Sequence, residues 1–320
     1  MDSVNKALGD IVVGVLTYKR PDDLRALLPM VAEHCQQVAP LASSLSILVV
    51  DNDAEESGRQ AVAELALPEV RYVVEPQPGI AAARNRVLDE VKGAHLLVFI
   101  DDDERPQPRW LSSLVECYQR EHAVAVTGAV VPDAGRIEDP WIVAGGFFVR
   151  KRFPTGTEQA AAGTGNLLLD LRQIEAMGGV RFDTRFGLTG GSDTMFTRTL
   201  RSKGGRIVWC DESVVVDHIP AKRLTREWVL QRRFRTGNLS AKVELDLADG
   251  FFARLRVRLE YTILGALRIV VGTLLGWFGT LTGSLKYQAR GARGVARGRG
   301  MVSGAWGGTY VEYRRKESGG

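Results

Sequence analysis

The sequence predicts an α/β protein built on a mostly parallel β-sheet with helices on both faces, followed by a helical C-terminal region that associates with a membrane. Three observations carry this. Through the first 130 residues, short β-rich apolar runs alternate with helix-period patterns. The runs are apolar almost throughout, as expected of strands covered on both faces. Near the C-terminus, residues 261–285 hold one charge, Arg268, in twenty-five positions.

The elements follow in order. "IVVGVLT" (11–17) is a first strand, and Pro21 opens a helix with Leu24, Leu27, Leu28 and Val31 on one side. "LSILVVD" (45–51) is a second strand, followed by a helix over 59–66. "VRYVVE" (70–75) is a third, and Gly79 begins a helix carrying Ala82, Val87 and Val91. "HLLVFID" (95–101), "PRWLSSLVECYQ" (108–119) and "AVAVTGAVV" (123–131) add a strand, a helix and a fifth strand. Such alternation gives a layered α/β domain.

The fourth strand ends in three like charges, Asp101, Asp102 and Asp103. In open α/β sheets ligands bind outside the carboxyl ends of the strands. Asp51 ends the second strand, so all four acids belong to one rim. Crowded carboxylates become favourable when a divalent cation sits between them and a phosphate ligand. A solvated turn or helix cap is the plainer reading of a lone Asp. It serves less well for a triplet that follows an apolar strand.

Composition narrows the class. Apolar residues make up 45% of 320 positions, enough for a sizeable core. From residue 286 onward there are eight Lys or Arg and two Asp or Glu, a net of +6 against +4 for the whole chain, so the first 285 residues sum to −2. The basic character belongs to the tail, which argues against nucleic acid and for an anionic surface. Cys35, Cys117 and Cys210 are far apart with no CxxC, which suggests a reducing compartment and offers no zinc site. The first ten residues carry no apolar signal-peptide core.

Five stretches resemble an inverting family 2 glycosyltransferase of GT-A (Rossmann-like) fold. They are "VLTYKRPDDL" (15–24), "ILVVDNDA" (47–54), "GIAAARNRVL" (79–88), "FIDDDERPQPRWL" (99–111) and "GTGNLLLD" through "FGLTGGSDTMF" (163–196). The resemblance implies a nucleoside-diphosphate sugar donor of UDP or dTDP type. Thr17 and Arg20 would line the nucleotide pocket. Asp51, helped by Asp53, would accept a hydrogen bond from the base edge. Arg84 and Asn85 would lie beneath the donor, Arg84 facing phosphate or base. Asp101–Asp103 would be the family's DxD motif, with Asp101 on the ribose, Asp103 ligating Mg2+ or Mn2+, and Asp102 assisting. Asn166 would contact donor or acceptor, and His218 would complete the metal shell or touch the diphosphate. Asp193 would be the catalytic base. The family usually has Glu where this chain has Ser192, which leaves open how Asp193 is oriented and tuned. Asp193 would also suit a helix N-cap.

The division expected is a catalytic domain over 1–225 and a helical region over 226–320. "REWVLQRRFRTG" (226–237) reads as a helix able to close over the diphosphate, or as a solvated basic helix. The uncharged run 269–285 borders on the ~20 residues that span a bilayer. Gly272 with Gly276, and Gly279 with Gly283, are spaced for close helix packing. Arginines stand on both sides of the run, which fits an in-plane or re-entrant helix pair on the inner leaflet better than one crossing. A buried core or homodimer helix is the alternative. A membrane position on the cytoplasmic face would make the acceptor a lipid-linked glycan in cell-wall or surface-polysaccharide synthesis. Two other functions stay open: a sugar-nucleotide pyrophosphorylase, disfavoured because "LTYKRPDDL" lacks glycine, and a non-catalytic nucleotide-sugar-binding scaffold.

Overall fold

The computed structural model describes residues 8–187 and 190–308. Residues 309–320 of the basic tail and 188–189 of the 186–196 segment lie outside the described residues. The strands are β1 Ile11–Thr17, β2 Leu45–Asp51, β3 Val70–Val74, β4 Leu96–Asp101, β5 Glu104–Pro106, β6 Ala125–Asp133, β7 Asn166–Asp170 and β8 Ile207–His218. The α-helices are α1 Pro21–Val38, α2 Arg59–Leu65, α3 Ile80–Glu90, α4 Trp110–Glu121, α5 Pro140–Gly145, α6 Leu171–Ala176, α7 Ser192–Ser202, α8 Arg226–Leu247, α9 Gly250–Leu281 and α10 Leu285–Ala305.

One sheet runs in the order β3-β2-β1-β4-β7-β6-β8-β5. Its first four strands are parallel, but β7 is antiparallel to both β4 and β6, and β5 is antiparallel to β8. The expectation of a mostly parallel sheet therefore holds for half of it. An apolar run reports burial on two faces and carries no signal for strand direction. β1 shows the burial plainly. Ile11, Val13 and Val15 join one core with α1 and α4, while Val12 and Leu16 join a second with α3, Phe182 and Phe196. All three cysteines are buried free thiols.

The chain forms two compact units. The first comprises 8–131, 150–187 and 192–218; the second comprises 132–149, 190–191 and 219–308. The second unit thus takes in α5, which precedes the expected boundary at residue 225. Its aromatic cluster explains why: Trp141, Ile142, Phe147 and Phe148 pack with Ile219, Val229 and Ala289.

Within the second unit α9 and α10 form an antiparallel hairpin whose backbones nearly touch. A Cβ added at Gly272 would lie 2.7 Å from the Gly291 carbonyl oxygen, and one at Gly298 would lie 2.5 Å from that of Gly265. On its other side α10 meets α8, where a Cβ at Gly304 would lie 2.4 Å from the Asn238 carbonyl oxygen. Of the glycines singled out in α9, Gly272 and Gly279 face α10, whereas a Cβ at Gly276 would meet open space. With 32 residues, α9 is long and apolar enough to cross a membrane. It leaves Ile263, Leu267, Val270, Leu274, Trp277 and Leu281 exposed.

Candidate active site

The parallel register builds the rim. β1 places Thr17 opposite Asp51 and Leu16 opposite Asp101, so the ends of β2 and β4 flank the end of β1. β7 begins where β4 stops, with Asn166 opposite Ile100, which brings the 163–165 loop to the same rim. β5 then pairs with β8 so that Glu104 stands opposite Asp217.

The acid triplet splits into different roles. Asp102 is buried and turned inward, taking Thr17 Oγ1 at 2.8 Å and Arg20 Nη1 at 2.8 Å. The same Arg20 nitrogen donates to Asp103 Oδ2 at 2.8 Å, so one guanidinium orients both acids. Asp101 and Asp103 share their surroundings with Asp193 and Asp217. Burial pushes the Asp101 carboxyl up to about 6, with Asp103, Asp193 and Asp217 adding to the rise and Arg84 opposing it. Burial also pushes Asp102 up to about 7, against the pull of Arg20. Glu104 is buried, accepts the Asp101 N–H at 3.1 Å, and is raised well above the usual carboxylate range by burial and by Asp101. The net result is a negative pocket in which each added charge costs more than the last.

Glu104 and Asp217 are site residues that the sequence reading missed. Both had a signal: Glu104 directly extends the triplet, and Asp217 ends a strand beside His218. The glycine at position 165 serves Glu104, because a Cβ there would lie 2.3 Å from Glu104 Oε1.

Asp193 lies in the first turn of α7, where the helix N-terminus favours an acid. α7 starts one residue earlier, at Ser192, so Asp193 is inside the helix and is not its N-cap. The Thr194 N–H holds Asp193 Oδ1 at 2.7 Å, and Oδ2 points toward Gly163. α7 is fixed in turn by stacking of Phe196 on Phe182, with centroids 4.1 Å apart.

Four expected contacts are placed differently. Asn85 spends its amide on the backbone of Phe182, donating to the carbonyl at 2.8 Å and accepting the N–H at 2.9 Å, so it braces Phe182 instead of meeting a donor. Asn166 is buried in a network with Trp110 Nε1, Ser213 Oγ and the carbonyls of Ala129 and Ser213, and offers nothing to a ligand. Arg84 is buried, lies over the Phe182 ring and donates from Nη1 to Ser192 Oγ at 2.7 Å, with its Nε buried and without a hydrogen-bond partner, and its charge acts on nearby Asp101. Asp51 is wholly buried and accepts from the N–H groups of Asp53 and Gly58 and from Tyr72 Oη, which staples the 52–58 loop. Asp53 is nearby with Oδ2 buried and without a hydrogen-bond donor, Lys19 Nζ being 4.0 Å away. His218 is exposed at the end of β8, and its N–H reaches the Asp103 carbonyl at 3.5 Å.

Among the described residues, no three His, Cys, Asp or Glu side chains converge as a ready-made metal cage. The rim nevertheless fits a hard divalent cation, which takes oxygen ligands and needs only one or two carboxylates when phosphates and water complete its shell. Asp101 and Asp103 are the rim carboxylates that could supply them, and each raises the cost of charge on the other.

Comparison with known proteins agrees with this geometry. Residues 12–169 match the family described as glycosyl transferase family 2. The succinoglycan biosynthesis protein ExoM of Rhizobium meliloti (strain 1021) is 34% identical over 244 residues, covering 75% of this chain and 77% of ExoM. The fold is similar to that of a Pyrobaculum calidifontis mannosyltransferase, PcManGT, solved with GDP-Man and Mn2+ (TM-score 0.62, 17% identity, 94% of this chain and 88% of that one). It is also similar to GalNAc-T7 solved with UDP, GalNAc and Mn2+ (TM-score 0.53, 13% identity, 74% of this chain and 51% of that one). Together with the rim of acids at the carboxyl ends of a GT-A-like sheet, these matches place the chain in glycosyltransferase family 2.

Proposed function

We propose that this glycosyltransferase moves a hexosyl or deoxyhexosyl group from a nucleoside-diphosphate sugar to an acceptor hydroxyl with inversion, at the rim formed by Asp101, Asp103 and Asp193. The observation that carries the reading is the gathering of Asp101, Asp103, Asp193 and Asp217 at one rim, where Glu104 stands opposite Asp217 and Asp193 Oδ2 lies against the Gly163 loop.

Asp101 and Asp103 would hold Mg2+ or Mn2+, with His218 beside them at the end of β8. The ion, when bound, supplies Lewis-acid neutralisation of the departing diphosphate. The remaining steps belong to the chain. Arg20 fixes Asp103. Asp53 Oδ2 takes the base-edge N–H that the sequence had assigned to Asp51. Asp193, held through Oδ1, accepts the acceptor's proton on Oδ2 as its oxygen attacks the anomeric carbon. The bond from that carbon to the phosphate oxygen breaks in line, and its electron pair leaves with the diphosphate. Glu104 braces Asp101 by accepting its backbone N–H.

The relationship to a succinoglycan biosynthesis protein supports a place in polysaccharide synthesis. The exposed apolar face of α9 supports attachment to the inner leaflet and hence a lipid-linked saccharide acceptor. A panel of UDP-, dTDP- and GDP-sugars tests the donor assignment. Mn2+-dependent donor hydrolysis is expected with one of them, and its loss is expected in Asp103→Ala and Asp193→Asn. Consumption of a nucleoside triphosphate and sugar phosphate in place of donor hydrolysis would point to a pyrophosphorylase.

A further inference from the structure

The arginines near the rim are not all matched with its acids. Arg20 donates to both Asp102 and Asp103, and Arg150 pairs with Asp217 at 2.6 Å. Arg84 differs. It is only 7% exposed, yet it forms no ion pair with a carboxylate among the described residues. Its contacts are to neutral groups. Nη1 donates to Ser192 Oγ at 2.7 Å, the guanidinium carbon lies 5.5 Å from the Phe182 ring centroid, and Nε is buried without a partner. These contacts also hold it still. Phe182 is clamped between the Asn85 amide and the Phe196 ring, and Ser192 is wholly buried.

One hydrogen bond to a hydroxyl and one aromatic face offset only part of the cost of desolvating a guanidinium. The rest has to come from charge, and the charge at hand is the acid rim, where Arg84 acts on Asp101. The second unit gives a contrast. Arg233 and Arg293, where α5, α8 and α10 meet, are half-buried and donate to the carbonyls of Phe147 and Gly145. Water still reaches those two, whereas Arg84 is nearly closed to it.

Ser192 matters because it is neutral. It stands next to Asp193 at the start of α7 and within hydrogen-bond reach of Arg84. A carboxylate there would pair with Arg84 and cancel most of its field at the rim. A hydroxyl binds Arg84 and leaves the field intact. A standing positive charge repels a lone divalent cation and attracts a diphosphate, so the two are favoured when they arrive together.

We propose that Arg84 is the resident counter-charge of the rim, and that Ser192, by bonding Arg84 without neutralising it, makes uptake of a divalent cation depend on a nucleoside diphosphate. This rests on the transferase reading of the rim. The test titrates Mn2+ into the full chain, alone and with UDP or GDP, and follows free Mn2+ by electron paramagnetic resonance. The wild type should bind Mn2+ weakly alone and tightly with one of the nucleotides. Ser192→Glu should bind Mn2+ alone roughly tenfold or more tighter than the wild type. Ser192→Gln, of the same size without the charge, should behave as the wild type. Arg84→Gln should also bind Mn2+ alone more tightly, with no new carboxylate present. A misfolded variant loses Mn2+ affinity, so a gain cannot come from damage; if Ser192→Glu does not fold, Arg84→Gln against the wild type decides. Equal Mn2+ affinity in Ser192→Glu and Ser192→Gln, or a gain in Ser192→Glu with none in Arg84→Gln, would overturn the proposal, the latter by showing that a new ligand had been added. If the wild type takes up no Mn2+ with either nucleotide, the transferase reading fails first; if it does and the variants match it, only the role of Arg84 and Ser192 falls.

Discussion

The two units store opposite charges by different means. In the first, acids crowd the end of a sheet whose strands are locked by hydrogen bonds, and Arg20, Thr17 and the Thr194 N–H hold them in place. In the second, arginines gather where three helices meet, and the helices come close because glycine after glycine removes the side chain between them. The comparison teaches that charge crowding can rest on rigid ladders or on close backbone packing.

The largest expected effect is on the sheet rim. Asp193→Asn should lower the transfer rate about 10²- to 10⁴-fold, while stabilisation by nucleoside diphosphate and Mn2+ stays as in the wild type; steady-state kinetics and thermal melts separate the two. Next come paired glycine substitutions that set one unit against the other. Gly298→Ala forces a Cβ to within 2.5 Å of the Gly265 carbonyl, and Gly165→Ala to within 2.3 Å of Glu104 Oε1. Each should cost about 1–3 kcal/mol by overpacking. Only Gly165→Ala should also weaken Mn2+-dependent donor binding, because Glu104 braces Asp101.

A smaller effect concerns pH. The folded carboxyls of Asp101 and Asp102, at about 6 and about 7, lie above their unfolded values, so the folded state holds protons more tightly. Their contribution is therefore present at low pH and declines as pH rises from about 4 to about 7. Melting temperatures in chelator should fall across that window, and Asp102→Asn should flatten the fall. The smallest effect is Gly276→Ala, where the added Cβ meets open space; it should be neutral or stabilise by up to about 1 kcal/mol.

Much of the first unit was legible because buried parallel strands and their covering helices write continuous apolar runs and periodic stripes. The rim was legible for the same reason, since Asp51 and Asp101 each end such a run. Strand direction was not, so β7, β6, β8 and β5 came as an antiparallel half. Asn85 and Asn166 misled because a polar residue near a site looks alike whether it holds a ligand or, as here, a backbone. The glycines at 265, 272 and 279 and at 291 and 298 repeat every seven residues, a readable mark of the helix contact.

Electron paramagnetic resonance of Mn2+ titrated into the protein with a nucleoside diphosphate tests the central claim most directly. The wild type should take up one Mn2+ only when the nucleotide is present, and Asp103→Ala should take up none. Nucleotide binding of equal strength in chelator, or Mn2+ uptake unchanged by Asp103→Ala, would contradict it.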